Sequence, residues 1–138
     1  MELSELMQLA VGQKTSLVMG DLPRPVAAIM NCHPAIVYLG HNEFRHIASS
    51  HLEMQREEFQ MIPWLIKGGA YYFHEGYPKS LTIFGELAHD NKLYTLGLKS
   101  ANGGCEVWIQ TMFRTGLKKA LRRVSTMSLV HGRSPFPK

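Results

Sequence analysis

The sequence predicts an α+β domain in which N-terminal helices precede a four-stranded antiparallel sheet and a short, basic C-terminal helix. Two observations predict this class. Apolar residues recur with a helical period over residues 42–67 and with the period of a half-buried strand from residue 70 onward. The later candidate strands are joined by only a few residues, which leaves no room for the crossover helices of a parallel sheet. At 138 residues, of which 45% are apolar, the chain is expected to form a single domain, residues 1–138.

The first forty residues contain three short candidate elements. Apolar residues at helical spacing predict an amphipathic helix over residues 3–11. Residues 14–19 alternate weakly and predict a strand, whereas the proline-rich residues 20–25 are expected to break any regular element. The continuous apolar run at residues 35–39 predicts a buried strand.

Two helices are predicted next. Asn42 can act as the N-cap of a helix over residues 42–56, and Glu43 lies in its first turn. A second helix is predicted over residues 57–67, where Pro63 either kinks the helix or starts a new turn.

The remaining chain predicts a meander, a basic helix and a tail. The candidate strands, each bounded by turn residues, are residues 70–74, 81–88, 92–98 and 105–113. Residues 116–124 predict the basic helix. Residues 125–138, which contain two prolines, are expected to form a loosely held tail.

The charge is uneven along the chain. Residues 1–60 contain seven acidic and four basic residues, whereas residues 61–138 contain four acidic and eleven basic residues. The net charge of +4 therefore comes from the second half of the chain. A basic half favours an anionic partner such as nucleic acid.

The sequence predicts no membrane span and no metal or cofactor site. No apolar run approaches the roughly 20 residues that cross a bilayer, and the acidic N-terminus is unlike a secretory leader, so a cytoplasmic location, in a host or target cell, is expected. Cys32 and Cys105 lack zinc-like spacing and are expected to be small buried side chains. The seven histidines form no metal-binding motif.

The last predicted strand carries the first group of candidate binding residues. Alternation places Trp108, Gln110, Met112 and Arg114 on one face. It places Val107, Ile109, Thr111 and Phe113 on the other face, which is expected to belong to the core. An aromatic ring, an amide and a guanidinium in a row can stack a base and bind a phosphate. The alternative is that Trp108 and Met112 pack under a helix while Arg114 is solvated.

Histidines and further cations form the second group of candidates. His46 and His51 are five residues apart, and therefore about 140° apart around a helix axis. Either imidazole can transfer protons near neutral pH, although a lone histidine is more often structural. Lys118 and Arg122 belong to a basic run that either binds an anion or forms a solvated helix face, and Lys99 adds a cation near the same sheet edge.

The motifs resemble those of a known nuclease group. The helix sequence His-Ile-Ala-Ser-Ser-His at residues 46–51, the pair Gly68-Gly69 and the strand sequence Ile-Gln-Thr-Met-Phe-Arg at residues 109–114 carry the resemblance. The chain is similar to phage-associated members of the Barnase, EndoU, colicin and RelE-like superfamily. The resemblance covers residues 40–124 as the nuclease core and leaves residues 1–39 as an N-terminal extension without an assigned role.

The resemblance implies metal-independent endoribonuclease activity in which the ribose 2′-hydroxyl attacks the adjacent phosphorus. By position, it implies catalytic roles for His46, His51, Thr111 and Arg114. The family lysine has no clear counterpart, and Lys99 is the nearest choice. Such a toxin or phage effector would act on RNA, for example tRNA, and would pair with an immunity or antitoxin protein.

Two other classes remain open at the level of sequence. A non-catalytic phage inhibitor that binds nucleic acid or protein needs only the basic surface, because phosphate contacts require no chemistry. A nucleotide-dependent transferase is the weaker alternative, since the sequence contains neither of the common glycine-rich phosphate loops.

Overall fold

The computed structural model describes residues 2–31, 35–88, 92–101 and 106–136. The predicted burial of Cys32 and Cys105 concerns residues outside these ranges. The described helices are α1 (Leu3–Ala10), α2 (Arg24–Ile29), α3 (His41–Ser50), a 3₁₀ helix (Arg56–Met61), α4 (Ile62–Gly68) and α5 (Leu117–Val124). The strands are β1 (Ser16–Asp21), β2 (Ile36–Gly40), β3 (Ala70–Phe73), β4 (Ser80–Ala88), β5 (Lys92–Ala101), β6 (Glu106–Gly116) and β7 (Ser128–His131).

All of these strands belong to one mixed sheet. Its order is β1-β2-β6-β5-β4-β3-β7, and β2 pairs with β6 in parallel while the other neighbours are antiparallel. The α+β class is confirmed, but the predicted four-stranded antiparallel sheet is wrong. Short loops exclude parallel pairing only between consecutive strands. They do not exclude parallel pairing between strands that are far apart in the sequence, such as β2 and β6, in which Ile36 pairs with Glu106.

The three additional strands come from the two ends of the chain. β1 and β2 belong to the predicted N-terminal extension, except that β2 ends one residue later, at Gly40. The two strands extend the sheet past β6. β7 lies within the predicted tail and pairs with β3, with Tyr72 opposite Leu129. Residues 125–138 are therefore not simply a loose end, because residues 128–131 form an edge strand of the sheet.

Prolines begin two helices of this fold. The stretch predicted to break regular structure contains the start of α2, with Pro25 in its first turn. α4 likewise begins with Pro63 in its first turn, directly after the 3₁₀ helix. The missing proline N–H costs nothing at these positions because the first N–H groups of a helix have no intrahelical partner. Of the two alternatives for Pro63, the structure shows the new turn.

The two faces of the sheet are covered unequally. On one side, here the helix face, α1 to α4 and the 3₁₀ helix pack on sheet residues such as Val37, Leu96 and Met112. On the other side, here the open face, α5 and the C-terminal residues cover one end, over Phe84 and Leu93. Two cross-strand rows of the open face lie beyond that end, namely Tyr38, Trp108 and Lys99, and Thr111, Gly97 and Thr82.

The sheet curls around α4. This helix contacts both β1 and β4, and the Tyr71 hydroxyl of β3 donates a hydrogen bond of 2.5 Å to the Ile66 carbonyl. Met19 near one sheet edge and His131 at the other line a common cavity of about 390 Å³. The helix face is thus concave and packed against the helices, whereas α5 and the C-terminal residues cover only one end of the open face.

Candidate functional site

A bulge in β6 decides which side chains reach the open face. The register passes from the pair Gly97–Thr111 to the pair Leu98–Ile109, so Gln110 is an extra residue in β6. Side chains alternate with a period of two along a strand. One extra residue therefore turns each later side chain of the strand to the opposite face of the sheet.

This reversal makes the predicted alternation of the last strand wrong. Met112 is fully buried in the helix-face core, and Arg114 lies on the same side, whereas Trp108 is on the open face. Thr111 and Phe113, predicted to be core residues, instead follow Trp108 onto the open face. The four residues that the resemblance selected for catalysis are consequently divided between two sides of the sheet.

His51 reaches around the edge of β6. β2 pairs with β6 only as far as Tyr38 opposite Trp108, so in the described ranges the later part of β6 has no strand on that side. The His51 ring stacks on Phe113 with the ring centres 5.1 Å apart. Its side chain is 32% exposed, and Nδ1 lies 3.6 Å from Oε1 of Glu53. His51, which follows α3 on the helix face, thereby contacts Phe113 on the open face.

Arg114 holds the turn that carries His51. Its Nη2 donates a 2.5 Å hydrogen bond to the Glu53 carbonyl, and its Nε lies 3.2 Å from Oε1 of Glu58 without hydrogen-bond geometry. The Tyr94 hydroxyl donates to the same carboxylate oxygen at 3.0 Å. Burial, and secondarily this hydrogen bond, raise the pKa of Tyr94 above its usual value. The charge of Arg114 is therefore already compensated by a carboxylate.

A second arginine, Arg123, lies on the open face, where the sequence predicted Arg114. Cζ of Arg123, in α5, lies 5.5 Å from the centre of the Phe113 ring, within the range of a cation–π contact. α5 contains no acidic residue, and neither of the two ion pairs among the described residues involves it. Phe113 thus connects an imidazole with an uncompensated guanidinium.

Thr111 occupies a position where the strand surface is flat. A Cβ added at Gly97, its partner in β5, would lie 2.9 Å from Cγ2 of Thr111. Glycine at this position therefore leaves room for the threonine side chain between β5 and β6. The half-buried Thr111 lies two residues from Phe113 on the same face.

Trp108 and Lys99 form the adjacent row. The two residues are directly opposite one another in the β5–β6 register, and Lys99 is exposed. The Trp108 ring stacks on Tyr38 of β2, with ring centres 5.1 Å apart and an angle of 29° between the planes. Trp108 Nε1 donates a 3.1 Å hydrogen bond to Oε2 of Glu106. These side chains form an aromatic surface with one cation and one anion beside it.

The other predicted site residues lie at the periphery. His46 is exposed on α3, where its backbone carbonyl accepts a hydrogen bond from Ser49. Gln110 is exposed at the bulge. Lys118 and Arg122 are both exposed on α5. The structure thus brings His51, Thr111, Trp108 and Lys99 to one region of the surface but leaves Arg114 on the helix face.

The sequence does not predict several residues of this region. Glu53 and Glu58 lie in a stretch read as part of two helices, and their pairing with Arg114 is a tertiary contact without a local signal. Phe113 falls between Thr111 and Arg114, yet its face depends on the bulge. The residues of this region that the sequence does not identify as functional are Tyr38, Glu53, Glu58, Glu106, Phe113 and Arg123.

Neither of the two principal cavities contains a predicted site residue. The first lies between the sheet edges, and the second, of about 370 Å³, is lined by Trp64, Leu65 and Tyr94 among others. Within the described ranges, no group of three or more His, Cys, Asp or Glu residues is arranged to hold a metal ion. No helix in those ranges has the length and apolar character needed to traverse a membrane.

Comparisons with known proteins give no family assignment. No protein-family model, curated protein or solved structure matches the chain. The geometry of the open face is therefore the basis for assigning a function.

Proposed function

We propose that this protein is a metal-independent endoribonuclease that binds single-stranded RNA on the open face of its sheet. The observation that carries the proposal is the position of His51 between the Glu53 carboxylate and the Phe113 ring, at the margin of that face. An oriented, partly exposed imidazole beside a carboxylate can accept and donate a proton.

The charges around this histidine support an anionic substrate. Arg123 contacts Phe113, and Lys99 is exposed further along the same face. The basic residues of α5 have no acidic neighbour within their own helix. Cations that lack a protein partner can bind phosphates and release counterions, which is the main source of affinity for nucleic acid.

The proposed chemistry follows from these positions. His51 accepts the proton of the ribose 2′-hydroxyl as the 2′-oxygen attacks phosphorus and the bond from phosphorus to the 5′-oxygen breaks. The leaving 5′-oxygen takes up a proton from solvent water, which gives a 2′,3′-cyclic phosphate and a 5′-hydroxyl end. Arg123 stabilises the charge on the phosphate, and the Thr111 hydroxyl is available to donate a hydrogen bond to it.

The test compares two histidines of the same helical region. RNA is incubated with the protein in EDTA, and the fragment ends are mapped. We expect His51→Ala to reduce the cleavage rate by about 10²- to 10⁴-fold, the usual contribution of a general acid or base. His46→Ala is the matched control and is expected to retain cleavage. Intact RNA with the unmodified protein, or equal loss in both variants, contradicts the proposal.

One observation favours a second function, a non-catalytic RNA-binding module. The guanidinium expected to stabilise the transition state, Arg114, is paired with Glu58 at 3.2 Å. A binding module predicts salt-dependent RNA affinity, no fragments, and no change in affinity in His51→Ala. The same cleavage experiment, combined with a binding measurement, distinguishes the two functions.

A further inference from the structure

Tyr38 and Trp108 form an aromatic surface that the proposed cleavage step does not use. The rings stack on one another across β2 and β6, and both residues are only partly buried. Stacking covers one face of each ring and leaves the opposite face for another partner. The partner of Trp108 on its other side in the sheet register is the exposed Lys99.

Glu106 places a carboxylate at the rim of this aromatic surface. One carboxylate oxygen, Oε2, accepts the hydrogen bond from Trp108 Nε1 at 3.1 Å. This bond orients the carboxylate next to the indole ring. The remaining lone pairs of the carboxylate can accept hydrogen bonds from a ligand.

These side chains match two parts of a nucleotide, its base and its phosphate. An aromatic face stacks on a base, a lysine binds a phosphate, and a carboxylate accepts hydrogen bonds from exocyclic amino groups. Cytosine, adenine and guanine carry such groups. Thymine and uracil instead present one N–H flanked by two carbonyl oxygens, which an anionic carboxylate repels. A single carboxylate therefore distinguishes amino-bearing bases from thymine and uracil.

We propose that Tyr38, Trp108 and Glu106 form a nucleobase subsite selective for bases with an exocyclic amino group, and that Lys99 binds the attached phosphate. This inference deepens the proposed function and rests on single-stranded nucleic acid occupying the open face. Lys99 and Thr95, which is the register partner of Phe113, are separated by four residues of β5, or about 13 Å. The subsite therefore holds a nucleotide near the scissile bond but not the one at His51.

The test uses short deoxyribonucleotides, which lack the 2′-hydroxyl needed for cleavage. The exposed Trp64 is first replaced by Phe, so that Trp108 is the one fluorophore of its kind. Hexamers of deoxycytidine, deoxyadenosine and thymidine are then titrated against the Trp108 signal. We expect quenching by all three hexamers and about tenfold tighter binding of the first two than of the thymidine hexamer.

Variants of the subsite separate stacking from hydrogen bonding. Glu106→Gln is expected to reduce the preference over thymidine to less than about threefold, because the amide can also donate to a carbonyl oxygen. Tyr38→Leu is expected to weaken all three hexamers by about tenfold, with Tyr77→Leu as a control at an exposed tyrosine elsewhere. Lys99→Gln is expected to weaken hexamer binding more than Lys92→Gln, which removes a cation from the helix side of the same strand.

The outcomes distinguish the subsite from the nuclease activity. If the hexamers do not change the fluorescence, or if Glu106→Gln leaves the preference unchanged, the subsite is wrong even where His51-dependent cleavage is found. If the hexamers bind with the expected preference and RNA stays intact, the subsite stands and the nuclease proposal fails.

Discussion

Glu53 contacts both Arg114 and His51, two of the residues with a predicted catalytic role. Its carbonyl accepts a hydrogen bond from Arg114 on the helix face, and its carboxylate lies 3.6 Å from His51. The guanidinium that the sequence predicts to bind phosphate instead holds the Glu53 backbone in the folded chain. Arg114 acts on the proposed reaction through the position of His51, and its pairing with Glu58 contributes to stability.

Replacing Arg114 should therefore affect stability and catalysis together. We expect Arg114→Ala to lower the free energy of unfolding by about 1–3 kcal/mol, because Glu58 is left part-buried without its cation. The cleavage rate should fall while KM for RNA changes little, since this residue does not contact substrate. Urea unfolding and steady-state kinetics measure the two effects. Arg45→Ala, at an exposed position on α3, is the control, and a large rise in KM alone would contradict this role.

Tyr71 gives the stability a dependence on alkaline pH. The side chain is fully buried, and burial raises its pKa above the ordinary value of 10.0. Above that pH the unfolded chain loses a proton that the folded chain keeps, so the free energy of unfolding falls with rising pH by at most about 1.4 kcal/mol per unit. Below pH 10 the contribution is fully present. Tyr71→Phe should flatten this slope in unfolding measurements, whereas Tyr77→Phe, at an exposed tyrosine, should leave it unchanged.

At the level of the element, the bulge in β6 explains why one strand serves both faces. Before Gln110 the open face receives Trp108, and after it the open face receives Thr111 and Phe113. A regular strand would direct Phe113 into the concave side and Met112 outward. The bulge thus provides the open face with its polar and aromatic side chains without opening the core.

Deletion of Gln110 tests this account of β6. The deletion would turn Met112 out of the helix-face core, which alone costs about 2–5 kcal/mol for a fully buried methionine. Gln110→Ala keeps the extra residue and should change stability by less than about 0.5 kcal/mol, because the side chain is exposed. Thermal unfolding followed by circular dichroism compares the two variants. Equal stability would show that the register is not fixed at this position.

At the scale of the whole molecule, the basic helix and the ion pairs of the described residues lie on different parts of the surface. The basic helix α5 lies on the open face, whereas both ion pairs found in the described ranges involve residues of the segment between α3 and α4 or their partner in β6. The acidic first half of the chain thus compensates charge near the helix face. Within the described ranges, the cations of α5 form no ion pair, and this helix adjoins the surface proposed for RNA.

Salt dependence measures this arrangement. The logarithm of the RNA affinity should fall linearly with the logarithm of salt concentration, by about 0.7 for each phosphate contact with a single strand. The double variant Lys118→Gln, Arg122→Gln should reduce this slope by about 1.4 if both cations contact phosphates. The control removes Lys14 and Arg24, which are exposed near β1 and α2. An equal reduction in both variants would contradict a localised surface.

The sequence predicts the local elements better than their arrangement. Periodicity finds α1, β2, α5 and the meander because each buries a regular stripe. It does not find β7, whose residues Ser128 and Leu129 are exposed and gain their structure from pairing with β3. It also cannot show that Gln110 is inserted, since a bulge is defined only against the partner strand. Trp108 and His51 are therefore identified by residue type, but their relation to Arg114 is not.

The parallel pairing of β2 with β6 has a consequence during synthesis. Val37 and Leu39 are fully buried, yet the neighbour of β2 at residues 106–108 is made long after β2 itself. At about 5–20 residues per second, this apolar strand waits for seconds on the ribosome with one side unpaired. Newly made chains should therefore depend on chaperones until β6 is complete, and slowed translation of the meander should increase aggregation.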